Sequence, residues 1–166
     1  MDESANDTLS QLHAKMLEEA LVKGIVDIHV GDIIYYDMDR ADGLVLNGPY
    51  DSRLKYVVVS GSKSNNKEIC AVLINSDKDY SLDPLWQNEQ YCIRQTDYPG
   101  ILHDDSWIDC SDPKELLVKK LKAKKAVKCG SLNKIDLQNV MTHLKENGFV
   151  DDHIRKVYGI KEFKCE

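Results

Sequence analysis

Gly31-Asp32-Ile33-Ile34-Tyr35-Tyr36, Arg53-Leu54-Lys55-Tyr56-Val57-Val58-Val59-Ser60 and Ala71-Val72-Leu73-Ile74-Asn75-Ser76 decide how this chain folds. Each is a short β-branched and aromatic run, and polar, glycine-bearing segments separate them. Asp32–Met38 ends in the turn-prone Asp39-Arg40-Ala41-Asp42-Gly43, and Leu44-Val45-Leu46 is a strand candidate closed by Asn47-Gly48-Pro49. Leu54–Ser60 is nearly continuous Val and Tyr, the pattern of a central strand buried on both faces. Residues 61–67 form a hairpin loop, and Glu68–Asn75 returns. Tyr91-Cys92-Ile93 and Ser106-Trp107-Ile108-Asp109-Cys110 supply two further strands. Short strands with close turn signals favour an antiparallel barrel over a parallel sheet.

Outward from that centre, residues 7–23 read as an amphipathic helix with Leu9, Leu12, Met16, Ala20 and Leu21 on one stripe, and Ile25–His29 as a short lead-in strand. From residue 114 the pattern turns helical. A serine-capped helix begins at Ser131, carries the stripe Leu137, Val140, Met141, Leu144, and stops at Asn147-Gly148. A last helix starts at Asp151 or Asp152 and runs to Tyr158-Gly159. The expectation is one domain over 1–166: an N-terminal helix (1–24), a small barrel (25–112) and a C-terminal helical part (113–166).

The chain has 166 residues, 42% hydrophobic and 30% charged, which suits a folded domain burying roughly 70% of its unfolded surface. No run approaches the ~18 apolar residues of a membrane span, and no basic-then-apolar leader opens the chain. A cytoplasmic location is the expectation. Five scattered cysteines without a Cys-x-x-Cys pair suit free thiols. Five dispersed histidines argue against a metal site, and no cofactor is expected. Phosphate-binding, serine-hydrolase and zinc-protease motifs are absent.

The net charge of −6 hides an asymmetry: residues 1–113 carry −12 and residues 114–166 carry +6. Lys114–Lys128 holds seven lysines against one glutamate. Its default reading is a solvated face. The alternative is that Lys119, Lys120, Lys122, Lys124 and Lys125 grip a phosphate backbone, with affinity falling as salt rises. Tyr50, Trp86 and Tyr98, near loops, are candidates for stacking bases, although Trp86 and Trp107 also suit a core.

Taken in order, the runs from residue 29 to 147 resemble the MazF/PemK-like toxin endoribonucleases. Gly31-Asp32-Ile33-Ile34-Tyr35 is similar to the family's Gly-Asp-hydrophobic opening strand. Lys55–Ser60 sits where the family has Arg-Pro followed by a hydrophobic strand, and Ala71–Ser76 where a strand ends in Thr or Ser. Ser106–Cys110 and Gly130-Ser131-Leu132 resemble the next core strand and the lead into the terminal helix. The resemblance implies an SH3-like barrel, a homodimer, an antitoxin partner and metal-free cutting of single-stranded RNA by an arginine and a threonine acting on the scissile phosphate. Here the Arg-Pro is replaced, Arg53 lies just upstream, and Asn75 and Ser76 stand near the Thr position.

Metal-free RNA cleavage needs a base, an acid and cations. Arg53 offers two parallel hydrogen bonds to a phosphate, and Lys55 a point charge two residues on along the same strand face. Asn75 or Ser76 would donate to a phosphate oxygen. His103 sits in the loop 98–105 among carboxylates, a setting that suits an acid for the leaving oxygen. Plain surface charges, a strand-ending turn and a solvated histidine are the competing readings. The departures from the family pattern keep two alternatives open: a catalytically inactive barrel that binds RNA or protein, and an interaction protein docking through its N-terminal helix.

Overall fold

The computed structural model describes residues 11–12, 14–15 and 27–166. The helix expected over 7–23 and the first residues of the lead-in strand lie largely outside these. Asp27–His29, which are described, form no strand.

Among the described residues there are seven strands: β1 Asp32–Asp39, β2 Ser52–Ser62, β3 Glu68–Asn75, β4 Gln90–Ile93, β5 Ser106–Asp109, β6 Lys114–Leu117 and β7 Val127–Ser131. Residues 11–12 and 14–15 are helical, and the further helices among the described residues are α1 Pro84–Gln87, α2 Val118–Ala123, α3 Lys134–Glu146 and α4 Asp152–Val157. All strand pairs are antiparallel, in the order β4-β5-β3-β2-β1-β7, with β6 also paired to β3. The protein is therefore mainly antiparallel β with a few short helices.

Strand β3 forks along one edge. Its residues 68–71 pair with β6, and Ile74 and Asn75 pair with β5. From β6 the chain passes through α2 and returns as β7 on the far side of β1. The sheet curls but stays open, ending at β4 and β7, in place of the expected closed barrel.

Side chains alternate across a strand, so a three-strand centre buried on both sides must be apolar at consecutive positions. That is the reason for Ile33-Ile34, Val57-Val58-Val59 and Ile69-Cys70-Ala71-Val72, all at most 2% exposed. One face packs Ile33, Val58, Cys70 and Val72 beneath α3, α4 and the tail, against Val140, Met141, Leu144, Tyr158 and Ile160. The other face packs Ile34, Tyr36, Met38, Val57, Val59 and Ile69 around Leu121 of α2. Each fully buried side chain of this size contributes roughly 1.5–3 kcal/mol.

Gly61 shows why the first face seals. The β2–β3 register shifts between Val59 and Gly61, and Ser62 N donates to Tyr158 O at 3.1 Å. A Cβ at Gly61 would lie 2.3 Å from that same carbonyl oxygen. Only glycine lets the tail cross the strand there.

Several expected elements shift. Leu44–Leu46 is not a strand, and Val45 is 84% exposed. The part expected to be helical contains β6 and β7. Asn133, not Ser131, caps α3, its side chain accepting from Asp136 N at 2.8 Å. Ser131 ends β7 and donates from Oγ to Asp32 Oδ1. The stripe on α3 falls as expected, with Val140, Met141 and Leu144 buried and Leu137 half-buried. The turn after β1 is a short 3-10 segment, Arg40–Asp42, closed by Gly43 in the left-handed region at φ +84°.

Candidate functional site

In the antiparallel register Lys55 lies opposite Tyr36, Arg53 opposite Met38, and Leu73 opposite Val57. Arg53 and Lys55 therefore share the face of Val57 and Val59, at the end where the apolar packing around Leu121 runs out. Asn75 joins them across β3. There a cleft of about 410 Å³ opens, with Arg53, Lys55, Asn75, Asp109, Lys114 and Trp86 in its lining.

Lys55 Nζ donates to Asn75 Oδ1 at 2.9 Å. Burial, and then the charge of Arg53, hold its ammonium below the ordinary lysine range. Arg53 itself is exposed, and its side chain makes no ion pair or hydrogen bond among the described residues. Its fork of donors is available to an incoming anion. Lys114 is buried and committed, donating to Gly43 O at 2.8 Å and to Asp112 Oδ2 at 2.6 Å. Asp109 Oδ1 accepts from Ser111 N at 3.0 Å and from Ser111 Oγ at 2.6 Å. Trp86 comes from α1, whose start is set by Asp83 capping Leu85 N and by Pro84 in the first turn. Its ring stacks on Phe149 at 3.9 Å between centroids, and 37% of the residue stays exposed.

Three of the five expected catalytic residues thus meet in one cleft. The other two do not line it. Ser76, one step past the end of β3, is exposed and donates to Asp77 Oδ2 at 3.4 Å. His103 is 62% exposed in its side chain and lies 3.5 Å from Asp104 Oδ2.

The expected RNA-contacting residues divide too. Tyr50 is 68% exposed. Tyr98 is buried rather than free to stack, its hydroxyl donating to Asp136 Oδ2 at 2.5 Å and accepting from Asn133 N at 3.1 Å. Lys119, Lys122 and Lys125 are exposed. Lys120 pairs with Asp39 at 2.7 Å and Asp42 at 2.9 Å, and Lys124 with Asp39 at 2.9 Å. Those hydrogen bonds, Lys120's first, hold the Asp39 carboxyl well below the usual carboxylate range. Two of the five lysines of the apparent basic stripe are thereby spent fastening α2 and its C-terminal end to the end of β1.

Trp86, Lys114 and Asp109 in the cleft were not singled out as its lining by sequence. The one available signal was the register: Trp107 pairs with Asn75, which puts Asp109 on the same face two residues on. Among the described residues no group of three or more His, Cys, Asp or Glu is placed to hold a metal ion. No described helix is long and apolar enough to cross a membrane. All five cysteines are free thiols.

Fold and cleft together define a class: a mainly β protein with a cleft of mixed charge, lined by Arg53, Lys55 and Lys114 and by Asp79, Asp109 and Asp112, where one face of its curled sheet opens. Set against known proteins, the chain matches no family model and no curated protein.

Proposed function

We propose that this protein is a toxin-type endoribonuclease of the MazF/PemK kind, cutting single-stranded RNA without a metal ion. The observation that carries the reading is the meeting of Arg53, Lys55 and Asn75, far apart in sequence, over one cleft. The strand path β7-β1-β2-β3-β6 supports an SH3-like barrel drawn open, the frame on which that family builds its groove. Arg53 holds the non-bridging oxygens of the scissile phosphate and offsets the charge that grows on them. Lys55, with a larger neutral fraction than an ordinary lysine, takes the 2′-hydroxyl proton as that oxygen attacks phosphorus. It then returns the proton to the departing 5′-oxygen, leaving a 2′,3′-cyclic phosphate and a 5′-hydroxyl. Asn75 aims Lys55. The protein works as a cytoplasmic homodimer, with an antitoxin as the partner that covers the cleft.

A second reading is favoured by His103 and Ser76 lying outside the cleft lining: a barrel that binds RNA without cutting it. Purified protein mixed with single-stranded RNA and a chelator separates the two. Cleavage that falls about 10²-fold or more in Arg53→Ala and Lys55→Ala fits the enzyme. Salt-sensitive binding without cleavage fits the second reading. No affinity for RNA overturns both.

A further inference from the structure

We infer that Asp109 reads the base attached to the gripped nucleotide and favours guanine over uracil. This rests on the reading of the cleft as an RNA site and adds to it a base preference. The cleft, at about 410 Å³, is within the size range of sites for small ligands and has room for one nucleotide. Its two ends differ in chemistry. Arg53 and Lys55 on β2 supply cations, while β5, two strands away across β3, supplies Asp109. Two inter-strand steps are about 10 Å, and the register sets Asp109 level with Val57, two residues further along than Lys55 and four further than Arg53; the long Lys55 and Arg53 side chains shorten that diagonal within the cleft all three line.

Asp109 is built for a fixed acceptor. Ser111, itself buried, holds Oδ1 with two hydrogen bonds. Oδ2 has no hydrogen bond and no ion pair among the described residues. The nearest lysine along the chain, Lys114, is already committed to Asp112 and Gly43. Trp86, backed by Phe149, presents exposed ring surface in the same cleft for a base to stack on. A carboxylate only accepts. Guanine presents N1–H and N2–H2 side by side on its pairing edge, so it offers this acceptor two adjacent donors. Uracil presents one N–H between two carbonyl oxygens, which a carboxylate repels.

The test uses the full chain and two fluorescently labelled RNA heptamers, all-uridine and uridine with one central guanosine, at fixed salt. The guanosine heptamer should bind about tenfold tighter or more, the effect of one good base contact. Asp109→Asn keeps an oxygen for Ser111 and should bring the ratio near one without weakening the all-uridine RNA. Arg53→Ala should weaken both RNAs alike and leave the ratio standing. Equal binding by the unaltered protein, or a ratio that survives Asp109→Asn, overturns the base preference alone. If neither heptamer binds, the RNA reading itself falls with it.

Discussion

The two faces of the β1–β2–β3 centre make a useful contrast. Both are apolar, and strand β2 serves both, yet one is sealed and the other is not. On the sealed face, α3, α4 and the tail cover Val58, Cys70 and Val72 from end to end. On the other, a six-residue helix contributes Leu121 and covers only part of the curl. The residues that follow toward the start of β2 are cationic: Lys55 is half-buried and Arg53, beyond it, is exposed. The cleft exists where a short helix stops short. The proposed site is a place where packing was left incomplete.

The contrast can be broken most severely at Gly61. Gly61→Ala drives a methyl group into the Tyr158 carbonyl and should cost more than about 3 kcal/mol, read as a fall in urea midpoint. Leu144→Ala on the sealed face and Leu121→Ala on the open one should each cost about 2–5 kcal/mol, since both are fully buried. If the faces are separate cores, the double variant should equal the sum within about 0.5 kcal/mol; a larger coupling means that one core runs through the sheet.

Next in size is the clamp between α2 and β1. Lys120→Met leaves Asp42, which is buried, without its ammonium, at a cost of about 1–3 kcal/mol. The pH dependence has a definite sign. The Asp39 carboxyl is depressed by Lys120 and Lys124, so its contribution is present above the ordinary Asp value of about 4. It is lost as pH falls through the depressed value. Thermal melts from neutral to acid pH should therefore show a steeper loss in the unaltered protein than in Lys120→Met. The smallest effect belongs to the cleft. Arg53→Ala should change stability by no more than about 0.5 kcal/mol. It should also move the Lys55 titration upward, because a like charge is removed from beside it, as an NMR titration of the lysine side chains would show.

Strands β1 to β5 were legible because their burial demands β-branched runs bounded by turn residues. β6 and β7 were not. Lys114-Glu115-Leu116-Leu117 opens a lysine-rich stretch, and its inward position is taken by Lys114, whose ammonium finds Gly43 O and Asp112 inside the fold. Charge disguised a strand. β7 is short and includes Gly130. The strand expected at Leu44–Leu46 fails for the opposite reason: three apolar residues in a row, with no neighbouring strand to pair with and Val45 turned to water. Within the site, the pairing of Arg53 and Lys55 followed from their two-residue spacing on a strand. The separation of His103 from them did not, since the path of the 98–105 loop is governed by Tyr98 plunging inward to Asp136. An aromatic beside Pro99-Gly100 looked like a loop ornament and is an anchor.

The tail's crossing over β2 has a consequence for biosynthesis. Tyr158 and Ile160 leave the ribosome only after all seven strands, and they finish the roof over Val58, Cys70 and Val72. A nascent chain stalled before them carries an uncapped, sticky sheet that is ready to pair with a neighbour. Closure of this face is thus deferred until residue 160 has emerged, and the shorter nascent polypeptide is the species most in need of a chaperone.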